Sequence, residues 1–445
     1  MDMSLFFVAG AGIALLLFLV ITLRVPAFLA LLVTSLLVGL GSGLEPEQVL
    51  NSIKNGMGGT LGFVAIVVGL GAILGQILES SGGIERIAGS LVRSFGPEKV
   101  QWSLGLTGFI VAIPVFFDVA FIILAPLLYG LANRSGRSLL YYAIPLLAGL
   151  AITHSFIPPT PGPIAVAELV KADLGWVILF GAITGIPAMI IAGPLFGKFI
   201  AKRIFIAVPD SHKTQHKPSD VSSPSFAWVA SIILLPLMLI MLATTAPFVL
   251  PQDSQLLAVL KFLGHPFVAL TIATILAMLI AHTKCDISRD SLLNIANKGL
   301  EPAGVVILIT GAGGAFKQVL IDSGVGQMLA SVFIEAQFSV LILGFLIAAI
   351  TRIAQGSATV AMITAAGLIA PVLELQPMSA AMLGLLVIAI SSGATILSHV
   401  NDSGFWLVSR YLGMSEKDTL KTWTVMTTLI SLTGLASCLL ISIFL

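Results

Sequence analysis

"THSFIPPTPGP" (Thr153–Pro163) sets a histidine, four prolines and a glycine between two long apolar stretches. Proline has no backbone donor and clashes with a helix interior, so this stretch cannot continue a helix. Its surroundings make that notable. The 445 residues are 57% hydrophobic and only 10% charged, with a mean hydropathy of +1.07, whereas a soluble chain is about a quarter charged. Apolar runs of membrane-spanning length recur from end to end, which predicts an all-α polytopic membrane protein. Irregular backbone is tolerated at membrane depth only where protein buries it or water reaches it. Thr153–Pro163 is therefore read as a break inside a crossing that lines a water-filled cavity. An extracellular loop is the competing reading.

Working outward, crossings are expected at 3–23, 25–44, 57–78, 101–132, 139–157, 174–200, 226–250, 264–282, 301–320, 338–372, 381–398 and 423–444. The run from Met3 to Leu23 lacks a basic leader and meets a second span directly, so it is read as a retained helix. Segments 101–132 and 338–372 are too long for one crossing and too short for two. Both break near the middle, at "IPVFFD" and "RIAQGSATV", the mark of a re-entrant hairpin. One hydrophilic stretch, Lys202–Pro224, divides the chain. The expected organisation is an N-terminal helix (1–24), a first membrane repeat (25–201), a cytoplasmic linker (202–225) and a second repeat with one leading helix (226–445).

The halves match. A shift of 242 positions lays Ile53, Asn55, Gly62, Val64, Gly69, Gly71, Gln76, Leu78, Ser81, Gly82 and Ala88 on identical residues from Ile295 to Ala330. A shift of 245 lays Ala125-Pro126 on Ala370-Pro371 and His154 on His399. With the linker in the cytoplasm, most Lys and Arg face that side. Lys54, Lys171 and Lys261 face outside, and Lys317 and Arg352 lie at membrane depth. Spans 25–44 and 264–282 then run in opposite directions, so the repeats are inverted, an arrangement found in secondary transporters with the site at the repeat interface.

Four breaks occupy paired places: 114–119 with 355–360, and 153–163 with 398–406. Broken helices expose unpaired N–H groups where a fragment starts, and such N-termini suit an anion. Asp118 sits mid-hairpin, read for substrate contact or protonation or else a structural ion pair. Arg352 is the partner of Asp118 or of an anionic substrate, or it snorkels to the outer surface. His154 and His399 titrate near neutral pH and suit proton coupling, as does Asp402. Asn401, Ser357, Thr359, Ser398, Ser403 and Thr160 are candidate hydrogen-bonding partners for a polyhydroxylated ligand. Lys317 is read as snorkelling. The glycine runs 69–75 and 311–316 follow no strand, so a dinucleotide fold is excluded; small-residue helix packing explains them. Cys285 and Cys438 form no disulfide or metal pattern, and the net charge of +1 implies no nucleic acid.

The motifs "GGTLGFVAIVVGLGAILG", "PVFFDVAFIILAPL", "THSFIPPTPGP", "GAGGAFKQVLIDSGVG", "GSATVAMITAAG" and "SHVNDSGFW" together resemble the gluconate permease family of bacterial proton symporters over essentially the whole chain. The resemblance implies proton-coupled uptake of gluconate or a related sugar acid across the bacterial inner membrane. It also implies an ion-transporter-like fold with inverted repeats, no cofactor beyond the coupling proton, contact with lipid, and a scaffold that often forms a homodimer. Many members have Glu where this chain has Asp118, and "PPHPGP" where it has "PPTPGP" with Thr160. Those departures leave D-serine, glycerate or another hydroxy acid open as substrate. Sodium also stays open as the coupling ion, since unwound carbonyls can hold a cation. An anion channel and an intramembrane enzyme are the other classes. For the enzyme no nucleophile–base or metal set stands out.

Overall fold

The structure is a computed structural model in which residues 3–209, 224–325 and 339–445 are described. The helices, in chain order, are α1 (Met3–Leu17), α2 (Ala27–Gly41), α3 (Pro46–Ser80), α4 (Gly83–Phe95), α5 (Val100–Val111), α6 (Phe117–Ser135), α7 (Leu140–Phe156), α8 (Pro161–Val170) and α9 (Leu174–Ala201). After the linker come α10 (Phe226–Thr245), α11 (Gln255–Leu263), α12 (Pro266–Lys284), α13 (Arg289–Asp322), α14 (Val340–Gln355), α15 (Ala358–Leu375), α16 (Ala380–Gly393), α17 (Ser403–Leu412) and α18 (Glu416–Ser442). Nine of the described helical stretches are long and apolar enough to cross a membrane, with Leu140–Val170 counted as one.

α3 and α13 form the most extensive helix pair. At 35 residues α3 is about 52 Å long, well beyond a hydrocarbon core of about 30 Å. The expected spans 57–78 and 301–320 were only the apolar parts of α3 and α13. Their polar first turns stay helical because they are capped. The Glu45 N–H donates to Gln48 Oε1 across a capping box led by Pro46, and Ser288 Oγ accepts from the Ser291 N–H. Gly56 lies directly against the Gly314 carbonyl and the Gln318 side chain, and Gly299 against the Ala72 carbonyl and Gln76. These reciprocal contacts make the pair antiparallel, with backbones too close for a Cβ. Both helices end alike: Ser81 and Ser323 are followed by Gly82 (φ 71°) and Gly324 (φ 74°), whose left-handed backbone closes the last turn. That cap explains the matched Ser-Gly pairs. α2 packs on α13, and α12 packs on α3.

α1 packs on α2, and the remaining helices gather on α7, α9, α16 and α18 in one large apolar core. Gln101 Nε2 donates to the Tyr141 carbonyl at 2.9 Å and Tyr142 Oη donates to Ser135 Oγ at 2.7 Å. So α5 starts and α6 ends at the same end of α7, and the chain turns back on itself at 112–116. In the second half α14 and α15 pack directly on each other, joined at Gly356 (φ 88°). α5 and α6 instead splay along α7.

Two elements had no sequence signal recognised as helix: the amphipathic α4 and the short α11. The span from 338 begins at Val340 here, and residue 338, the matched Ala330 and linker residues 210–223 lie outside the described residues.

Candidate substrate site

Four helices begin at one cavity. α6 opens at Phe117, α8 at Pro161, α15 at Ala358 and α17 at Ser403, and residues at each start line a space of about 490 Å³. The prolines of Thr153–Pro163 place α8 there. Pro158, Pro159, Thr160 and Pro161 are all buried, so the break sits inside the fold and the extracellular-loop reading is overturned. The N-termini of the second half are capped by side chains. Ser357 Oγ accepts from the Val360 N–H at 3.4 Å, and Asp402 Oδ1 from the Gly404 N–H at 3.1 Å. Neither Phe116 nor Thr160 gives its helix a side-chain cap, so α6 keeps its first-turn N–H groups for another acceptor, whereas α8, with Pro161 and Pro163 in its first turn, keeps that of Gly162.

The charge at the site centres on Asp402. Arg352 Nη2 lies 2.5 Å from Asp402 Oδ2, with the side chains only 6% and 12% exposed. Ser398 Oγ also donates to Asp402 Oδ2, and Trp423 Nε1 donates to Ser398 Oγ at 2.6 Å. Trp423 sits on a π-turn, Leu420–Thr424, where one extra residue re-aims the side chain. Its ring meets Phe117, at the tip of the first hairpin, with centroids 5.3 Å apart. A chain of contacts thus runs from one hairpin tip to the root of the other. Phe116 and Phe117 each stand 6.5 Å from the His154 ring. Asp118, one residue on, is exposed to the cavity and makes no hydrogen bond or ion pair with a described residue. No group of His, Cys, Asp and Glu able to hold a metal ion occurs among the described residues.

The sequence profile of the GntP family permeases matches residues 3–444. This chain belongs to the GntP permease family. It is 42% identical over 432 residues to the low-affinity gluconate transporter of Escherichia coli, with 97% of each chain covered. It is 42% identical over 425 residues to the gluconate permease of Pseudomonas aeruginosa, covering 95% of this chain and 94% of that one. The Gnt-II system L-idonate transporter of E. coli is 40% identical, with 98% of each covered. Among solved structures, the Alcanivorax borkumensis YdaH transporter superposes with a TM-score of 0.66 at 18% identity, covering 94% of this chain and 98% of its own. Neisseria gonorrhoeae MtrF gives 0.65 at 15%, covering 93% and 94%. At those identities the likeness is one of fold. The chain is therefore a transporter rather than an enzyme, a multi-pass protein in keeping with the bacterial inner membrane.

In this GntP permease, Asp118, His154, Arg352, Ser357, Thr359, Asn401, Asp402 and Ser403 surround one cavity. Three expected residues do not. Thr160 is buried beside it and spends its hydroxyl on the Ile157 carbonyl at 2.6 Å. Ser398 stands behind Asp402. His399 bonds the Ile353 carbonyl through Nε2 at 2.9 Å, so the two matched histidines have different surroundings. Arg352 pairs with Asp402, neither with Asp118 nor at the outer surface, because the α17 cap and the end of α14 meet at Gly356 and Asn401. Lys317 does not snorkel: its Nζ donates to the Leu169 carbonyl at 2.7 Å, satisfying the exposed end of α8. Sequence reasoning missed Gln355 and Trp423 as lining residues. Gln355 lies inside the quoted break "RIAQGSATV", a signal that was present. Trp423 is remote in sequence and had none.

Proposed function

We propose that this GntP permease carries gluconate or a closely related sugar acid into the cell together with a proton. The observation that supports it most is the convergence of four helix N-termini and a buried guanidinium on one cavity of about 490 Å³. Backbone N–H groups and helix dipoles at such ends favour a carboxylate. The volume falls in the range of about 300–1,000 Å³ typical of small-molecule sites. Thr359, Ser403 and Asn401 on the same walls suit the hydroxyls of a sugar acid. The relatives named for gluconate and L-idonate agree with this class of substrate.

Asp118 is the foremost candidate for the proton. It lines the cavity with no hydrogen-bond or ion-pair partner among the described residues, whereas Asp402 is held by Arg352 and Ser398. His154 is the second candidate; His399 lies off the cavity wall. A proton entering with the anion cancels its charge, removing electrical work of about 2.3 kcal/mol per charge per 100 mV against an inside-negative potential.

The test is uptake of labelled gluconate into proteoliposomes of the purified protein, with and without an inward proton gradient. Gradient-driven accumulation above the external concentration is expected. Equilibration without accumulation would point to a channel. No uptake by inserted protein would remove gluconate, and accumulation driven by sodium alone would replace the proton.

A further inference from the structure

Among residues lining the cavity, three buried polar atoms have no hydrogen-bond partner among the described residues: Arg352 Nε, Gln355 Oε1 and His154 Nδ1. Leaving a buried polar group unpaired is costly, so native folds satisfy nearly all of them, and an exception needs a reason. The neighbouring polar groups already have work. Ser357 caps α15, Asn401 Nδ2 donates to the Ile353 carbonyl at 2.9 Å, and Asp402 holds Arg352. Gln355 has no hydrogen bond of this kind to any described residue. It occupies the last turn of α14, three residues after Arg352, so the two side chains are neighbours on one helix face. Gly356 then turns the chain at φ 88°, pressed against the Asn401 carbonyl with no room for a Cβ. That contact fixes where α14 stops and therefore where Gln355 stands.

A donor, Arg352 Nε–H, and an acceptor, Gln355 Oε1, thus stand side by side at the root of the second hairpin. A 2-hydroxy acid offers the complement: a carboxylate that accepts, and on the next carbon a hydroxyl that donates. We propose that Gln355 is a specificity-determining residue, its amide oxygen accepting a hydrogen bond from the 2-hydroxyl of an acid whose carboxylate is held at Arg352. This rests on the sugar-acid reading of the same cavity and narrows it to acids hydroxylated beside the carboxylate.

The experiment compares acids with and without that hydroxyl. The binding of gluconate, D-glycerate and lactate is measured by thermal-shift titration of the purified full-length protein, against 2-deoxygluconate, 3-hydroxypropionate and propionate. The wild type is expected to prefer each hydroxy acid by about tenfold or more over its deoxy partner. Gln355→Leu should bring that ratio near one, by weakening the hydroxy acids and leaving the deoxy acids as they were. Gln355→Met serves if the leucine variant does not fold. A ratio that survives both substitutions, or affinities that all fall together, would overturn the assignment. So would a wild type that binds gluconate and 2-deoxygluconate equally, although gluconate uptake itself would then stand. If lactate or glycerate shows the Gln355-dependent preference while gluconate is not bound, the gluconate reading fails and the role of Gln355 stands. A wild type that binds none of these acids removes both.

Discussion

Arg352 and Asp402 face each other across 2.5 Å in a site that solvent hardly reaches, and Asp402 also caps α17. Removing one member of a buried pair strands the other charge and costs about 3–5 kcal/mol. Asp402→Ala should therefore lower the thermal midpoint of the detergent-solubilised protein sharply. The double variant Arg352→Met with Asp402→Leu should recover much of the loss, because neither charge is then stranded. Asp118 behaves differently. With no partner among the described residues to strand, Asp118→Asn should leave the midpoint near that of wild type while abolishing gradient-driven accumulation in proteoliposomes. Normal accumulation by that variant would take Asp118 out of proton coupling. The sequence marked both aspartates as functional, since an intramembrane carboxylate needs a reason to be there. It could not assign Arg352 to one of them. The partner lies 50 residues away, on the far side of a break whose path depends on Gly356.

Among the elements, α3 and α13 show what glycine does inside a helix pair. Gly56 is pressed on the Gly314 carbonyl, whereas Gly58, two residues on, has nothing within 4 Å. Gly56→Ala should destabilise the protein by about 1–3 kcal/mol, because backbone cannot give way as a flexible side chain does. Gly58→Ala should be neutral or slightly stabilising, since alanine is the better helix former by about 1 kcal/mol. Thermal midpoints of the two variants check this directly, and equal losses would refute the packing of the pair. The glycine runs 69–75 and 311–316 were legible as helix-packing sequence, and both lie inside these helices. Helix length was not legible. Hydropathy marks only the apolar middle of α3 and α13, whereas capped polar turns carry each helix well past it.

Across the whole molecule the two halves are not packed alike. α15 lies along α14, α13 and α8, while α6 has no comparable contact with α3; among the described residues, the turn at Pro114 and Val115 meets Gly75. A Cβ added at Gly313 would stand 3.9 Å from Ile363 Cβ, inside the range a disulfide spans. With Cys285 and Cys438 replaced by alanine, Gly313→Cys together with Ile363→Cys should crosslink under oxidation and stop uptake, and reductant should restore it. Unimpaired uptake by the crosslinked protein would show that α13 and α15 do not separate in the cycle.

Taken alone, the sequence determined that the chain is a helical membrane protein and where its helices break. Composition, proline chemistry and the cost of unsatisfied backbone in lipid are local and act wherever the residues stand. Tertiary structure decided what the breaks do together. It brought four helix starts to one cavity, gave Arg352 to Asp402, sent Lys317 to the end of α8 and turned His399 away while leaving His154 on the wall. It also brought Gln355 and Trp423 to that wall. Those outcomes depend on which backbones approach closely enough to meet, and that is fixed by the packing of helices distant in sequence.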